Sequence, residues 1–182
     1  MLQSIFLWFY CLPIGSAVLC IAAVSAAFRL LCRLFGKKRL WRPTAALLLL
    51  AWLVVIAAAT LADRIPGSAT VQPQLLPFHS YRTVFLGGSR ELFRSNFMNV
   101  ALFFPAGLLA CEVLPRHWTC RRRLVCVVLL FALVSAGIEF FQYCFAFGQV
   151  ETDDVIHNTL GAFVGAWICV IPHGLRCGGN RK

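Results

Sequence analysis

Five stretches of this chain are each apolar enough to cross a bilayer, which limits the fold before any single residue is weighed. The first lies between Gln3 and Arg29, the second between Arg42 and Asp63, and the third runs from just after Arg94 to about Leu114. The fourth extends from about Leu124 to Phe147, and the fifth from about Val155 to Pro172. A helix needs about 20 apolar residues to cross the hydrocarbon, or about 17 at the short end. A mean hydropathy of +0.78 and 60% hydrophobic residues separate the chain from soluble domains, whose apolar content is roughly 45–50%. The expected fold is an all-α polytopic membrane bundle of about five helices, forming one membrane domain over residues 1–182.

The net charge of +10 raises the question of nucleic acid, and the distribution of that charge answers it. With five helices, Arg29, Arg33, Lys37, Lys38, Arg39 and Arg42 fall on the same side as Arg116, Arg121, Arg122 and Arg123. Arg176, Arg181 and Lys182 join them, which puts 13 of the 17 Lys and Arg residues on one side. Only Arg64, Arg82, Arg90 and Arg94 lie opposite. Cytoplasmic loops carry the excess of Lys and Arg, so the N-terminus is expected outside and the C-terminus in the cytoplasm. The charge is a topology signal, and no nucleic-acid partner is expected. The start, MLQSIFLWFYC, lacks a basic n-region and reads as an uncleaved first helix. None of the nine cysteines falls in the outer loops 63–94 and 148–154, so no disulfide framework is indicated.

Polar residues interrupt the apolar pattern in residues 138–165. Glu139, Gln142, Asp153, Asp154 and Asn158 lie in or beside two spanning segments. Ionisable groups at membrane depth are costly and usually functional. The topology also gives their depth at about 1.5 Å per residue. Asn99 lies roughly 8 Å below the outer end of the third helix, Glu139 and Gln142 roughly 8–12 Å below that of the fourth, and Asn158 roughly 6 Å down the fifth. Glu139 and Gln142 are spaced i, i+3, as are Asn96 and Asn99, while Asp154 and Asn158 are i, i+4. The pattern predicts a polar chamber between the third, fourth and fifth helices, open to the outside, with Arg94, Asn99, Glu139, Gln142, Asp153, Asp154 and Asn158 as its ligand-binding residues.

Each group also has a simpler reading. Asn96, Asn99, Gln142 and Asn158 suit interhelical hydrogen bonding. Asp154 suits the N-cap of the fifth helix, and Glu139 an ion pair with Arg94. His157 is placed beside the polar face, in packing or solvent contact. Arg90 and Arg94 suit either a phosphate or snorkelling to the interface. A metal site from Glu139, Asp153, Asp154 and His157 would favour Mg²⁺ or Ca²⁺, yet no ligand spacing supports it. No metal and no cofactor is expected. Pro105 removes a backbone donor from the third helix and is expected to kink it, with Gly107 easing close packing. Gly161 and Gly165 form a G-x-x-x-G pair, which lets helix backbones approach. The Pro- and Gly-rich loop from Asp63 to Arg94 is long enough for a partly ordered re-entrant or surface segment.

Read together, these residues resemble the VanZ-like family of bacterial membrane proteins, named for an accessory factor of teicoplanin resistance. The resemblance covers about residues 75–166. It rests on Leu76, Pro77 and Phe78 in the outer loop, and on Asn99, Phe103, Pro105 and Gly107 in an N-x-x-x-F-x-P-x-G stretch. Glu139 and Gln142 follow, then Asp154, Asn158, Gly161 and Gly165 in a D-x-x-x-N-x-x-G-x-x-x-G stretch. The family often carries an Arg between the last two helices, where Gly148, Gln149 and Val150 stand here.

The resemblance implies a phenotype rather than a reaction. It implies a multi-pass protein of the bacterial cell membrane that lowers glycopeptide access to surface targets. Its expected partners are membrane lipid and a lipid-linked envelope precursor or a glycopeptide, with the oligomeric state open. Two other classes stay open. One is an intramembrane enzyme on a lipid-linked substrate, with Glu139 as proton carrier and Asp154 as base; the other is a small transporter or transporter subunit.

Overall fold

A computed structural model of the chain describes residues 40–61, 73–87, 90–146 and 150–178. The first expected spanning segment lies outside these residues. The described chain forms five helices: α1 (Trp41–Leu61), the short α2 (His79–Gly87), α3 (Arg90–Val113), α4 (Cys120–Phe145) and α5 (Thr152–Gly178). Four of them are long and apolar enough to cross a membrane, over Trp41–Leu61, Leu92–Val113, Cys120–Phe145 and Thr152–Ile171. The protein is an all-helical, multi-pass membrane protein.

The apolar positions sort the helices by environment. α1 buries only Trp41, Ala45, Trp52 and Ile56, one stripe on an otherwise lipid-suited surface. The buried positions of α4 recur every three or four residues: Arg123, Val127, Phe131, Ser135, Glu139 and Gln142. That spacing places them on one face. α3 is the most buried of the four spanning helices, and α5 packs against it more extensively than against any other.

Lipid is as apolar as the helices, so their association depends on close packing and interhelical hydrogen bonds. Small residues supply the first. A Cβ on Gly161 would run into the Val100 carbonyl, and one on Gly165 into the Phe104 carbonyl. From the other side, a Cβ on Gly107 would meet the backbone of Ala162. The α3–α5 seam is therefore backbone against backbone. Pro105 is buried within α3 and cannot donate to the Ala101 carbonyl one turn earlier. Next to that break, the Trp52 indole N–H of α1 donates to the Leu102 carbonyl at 2.8 Å.

Midway along the bundle the interior is apolar. Phe103 and Phe131 meet edge to face with centroids 6.0 Å apart, among Ile56, Ala106, Ala162 and Ala166. Polar side chains collect at the two ends of the helices. At one end, Trp41 donates to Glu112 at 3.0 Å, and Arg42 to the Val113 carbonyl at 2.6 Å. The buried Arg123 donates there to the Cys111 carbonyl and to Cys169 Sγ. The other end holds the residues singled out from the sequence.

Candidate functional site

The polar end is assembled from the last turns of α1 and α4, the first turns of α3 and α5, and α2. The segment before α2 is fastened to the α4–α5 connection by a single parallel bridge between Gln74 and Glu151. The Gln74 N–H donates to the Val150 carbonyl at 2.9 Å, and the Thr152 N–H to the Gln74 carbonyl at 3.1 Å. These bonds bring α2, from the long loop, onto the start of α5.

Asp153 then fixes α2. It is 3% exposed, and its carboxylate accepts from the Phe78 N–H at 2.5 Å and from the Ser80 N–H at 2.8 Å. The Ser80 hydroxyl donates to the same carboxylate. Unpaired N–H groups at a helix start carry partial positive charge, and a carboxylate satisfies both needs. Asp153 is therefore an N-terminal cap supplied to α2 by another helix. Phe78 adopts φ 63°, a left-handed conformation that a bulky residue rarely takes. Its N–H bond to Asp153 helps to hold it there. Asn96 of α3 completes this group by donating to Ser80 Oγ at 3.1 Å.

The other singled-out residues pair across different helices. Asn99 of α3 donates to Asp154 at 2.7 Å. Asn158 of α5 donates to Ser135 Oγ of α4 at 2.8 Å. Gln142 of α4 reaches the Thr60 carbonyl at the end of α1, at 3.1 Å. Glu139 is 6% exposed and accepts the Glu151 N–H at 3.1 Å, which ties α4 to the connection that follows it. Arg94 is exposed and takes no part in these bonds. Half-buried Glu151 has its carboxyl pushed above the usual carboxylate range, first by burial and then by the Asp153 charge, with His79 partly opposing.

A cavity of about 150 Å³ lies between α2, α3 and α5. Its walls include Tyr81, Asn96, Val100, His157 and Leu160. His157 is buried, and its Nε2 lies 2.8 Å from the Tyr81 hydroxyl, with the two rings 5.4 Å apart. Ser80, Tyr81 and Ser135 went unnoticed in the sequence. For Ser135 a signal existed, because it precedes Glu139 by four residues and shares its helix face. Ser80 and Tyr81 carried none, since nothing local to them points to α5.

The family model described as VanZ/LLP1 matches residues 44–173, from the first turn of α1 into the last part of α5. The chain has no match among curated proteins and none among solved structures. Since the match extends over well more than half of the chain and reaches into all four spanning helices among the described residues, the chain belongs to the VanZ/LLP1 family.

Proposed function

We propose that this protein is a cell-envelope accessory factor associated with glycopeptide (teicoplanin) resistance, whose polar end faces outward and engages a lipid-linked envelope precursor. One observation carries the reading. The paired polar groups meet at the helix end opposite Arg42, Arg116, Arg121 and Arg122, and the side rich in Lys and Arg is ordinarily cytoplasmic. Family membership supports the envelope role.

A translocation path gains no support, because the apolar layer around Phe103 and Phe131 separates the two polar ends. The enzyme reading is the weaker alternative, since Glu139 and Asp154 already serve as acceptors within the bundle. The test is the susceptibility of a sensitive Gram-positive host to teicoplanin and vancomycin at matched expression. Wild type is expected to protect from teicoplanin, and Glu139→Gln or Asp154→Asn to remove that protection. A host no less susceptible with wild type than without it overturns the reading.

A further inference from the structure

The turn between α3 and α4 carries positive charge that no described residue neutralises. Arg116, Arg121 and Arg122 are exposed there, and Arg42 of α1 joins them through its bond to the Val113 carbonyl. Among the described residues, no side-chain hydrogen bond or ion pair holds Arg116, Arg121 or Arg122. Glu112, the one acidic residue described at this end, is buried and accepts from Trp41. Helix stability does not account for the arginines either. The first turn of α4 holds no acidic residue, and cations are unfavourable at the positive end of a helix dipole. A cytoplasmic location calls for basic residues in number and leaves their arrangement free.

That arrangement is specific at Arg122. Its guanidinium lies over the Trp118 ring, 4.0 Å from the centroid. Stacking uses the face of the guanidinium and leaves its edge, with the N–H donors, for an acceptor. Tryptophan favours the membrane–water interface, which is the level of the lipid headgroups. Further along α4 the same helix face turns apolar. Val125, Leu129 and Leu133 follow Arg122 at i+3, i+7 and i+11, and all three are exposed. From Arg122 to Leu133 is roughly 16 Å along the helix, about one leaflet of a hydrocarbon layer about 30 Å thick.

We propose that the α3–α4 turn and this face of α4 bind an anionic phospholipid, with the lipid phosphate at Arg122 and an acyl chain along Val125, Leu129 and Leu133. The guanidinium fork matches the oxygens of a phosphate. Arg42, Arg116 and Arg121 add positive potential at the same turn, which favours a headgroup of net negative charge over a zwitterionic one. A soluble anion would use the arginines and leave the apolar stripe without a role. A neutral lipid would do the reverse.

The test uses the full chain purified in neutral detergent, with binding read by native mass spectrometry. The probes are phosphatidylglycerol, phosphatidylcholine with the same acyl chains, and inorganic phosphate. Wild type is expected to retain phosphatidylglycerol in preference to phosphatidylcholine, and inorganic phosphate neither to bind nor to displace it. Arg122→Gln is expected to weaken phosphatidylglycerol about tenfold while leaving phosphatidylcholine unchanged. Arg122→Lys keeps the charge without the fork and should fall between Arg122→Gln and wild type. Trp118→Leu removes the stacked ring and should also lower retention of phosphatidylglycerol. Arg94→Gln, which removes one exposed arginine at the opposite end, is expected to have no effect. Binding is compared among variants that melt as wild type does. Phosphatidylcholine held as tightly as phosphatidylglycerol, displacement by inorganic phosphate, or a loss in Arg122→Gln no larger than that in Arg94→Gln overturns the lipid site. Teicoplanin protection is a separate readout. A chain that protects no host yet shows this selectivity keeps the lipid site and loses the resistance reading alone.

Discussion

Asp153 and Asp154 are neighbours in sequence that serve different helices. Asp154 bonds to Asn99 of α3, whereas Asp153 turns to α2 and accepts three donors there. Hydrogen bonds to a charged group contribute about 1.5–3 kcal/mol each, and a lost helix cap costs typically about 1 kcal/mol. Such contributions do not simply add, and Asp153→Ala is expected to lower stability by at least about 1–3 kcal/mol, the loss of a cap and one charged hydrogen bond, and Asp153→Asn by less. Chemical unfolding in detergent measures this, and a cysteine placed at exposed Leu86 on α2 should then react faster with a thiol reagent. Unchanged unfolding and unchanged reactivity would remove Asp153 from its capping role. Glu151 gives a pH signature. The folded protein holds its proton more tightly than the unfolded chain does, so its contribution to stability is present at low pH and lost as pH rises through the raised value. Glu151→Gln should therefore be more stable than wild type at neutral pH, with the difference vanishing in acid; melting curves across pH decide. The sequence made the polar residues of α3, α4 and α5 conspicuous, because each interrupts an apolar run. Their pairings were not legible, since Ser80 and Asp153 lie 73 positions apart.

At the scale of elements, hydropathy located the four described spanning helices and misplaced two of their starts. α4 begins at Cys120 rather than near Leu124, because Thr119 caps it by accepting the Arg122 N–H at 3.2 Å. Three consecutive arginines read as loop by hydropathy, yet they occupy the first turn, and Arg123 is buried. α5 begins at Thr152 rather than Val155, because Asp153 and Asp154 sit in its first turn, where acidic residues complement the dipole. The short α2 was not legible as a separate element within the long loop. Its hydrogen bonds to Asp153 and its packing on α3 define it. The glycines yield a contrast at this scale. Gly161→Ala and Gly165→Ala each force a methyl into an α3 backbone carbonyl, and overpacking of this kind costs about 1–3 kcal/mol. Gly137 has nothing within 4 Å of its would-be Cβ, so Gly137→Ala should be neutral or stabilising. Parallel unfolding curves test the pair, and equal effects at Gly137 and Gly161 would contradict the α3–α5 seam described above.

The described helices together form three layers along their length: a polar end built around Asp153, Glu139 and Gln142, an apolar middle, and a second polar end at Glu112 and Arg123. The polar residues belong to helices that run in alternate directions, so two ends with distinct chemistry follow from the antiparallel arrangement. The proposed function depends on which end faces out. Thiol labelling of intact cells with a membrane-impermeant reagent measures this directly. Phe78→Cys reports the end bearing α2, and His117→Cys the exposed turn between α3 and α4, each compared with the unaltered chain. With the polar end outside, position 78 is labelled on intact cells and position 117 only after the membrane is opened. Labelling at 117 on intact cells, with 78 protected, would place the polar end in the cytoplasm and contradict the proposed function.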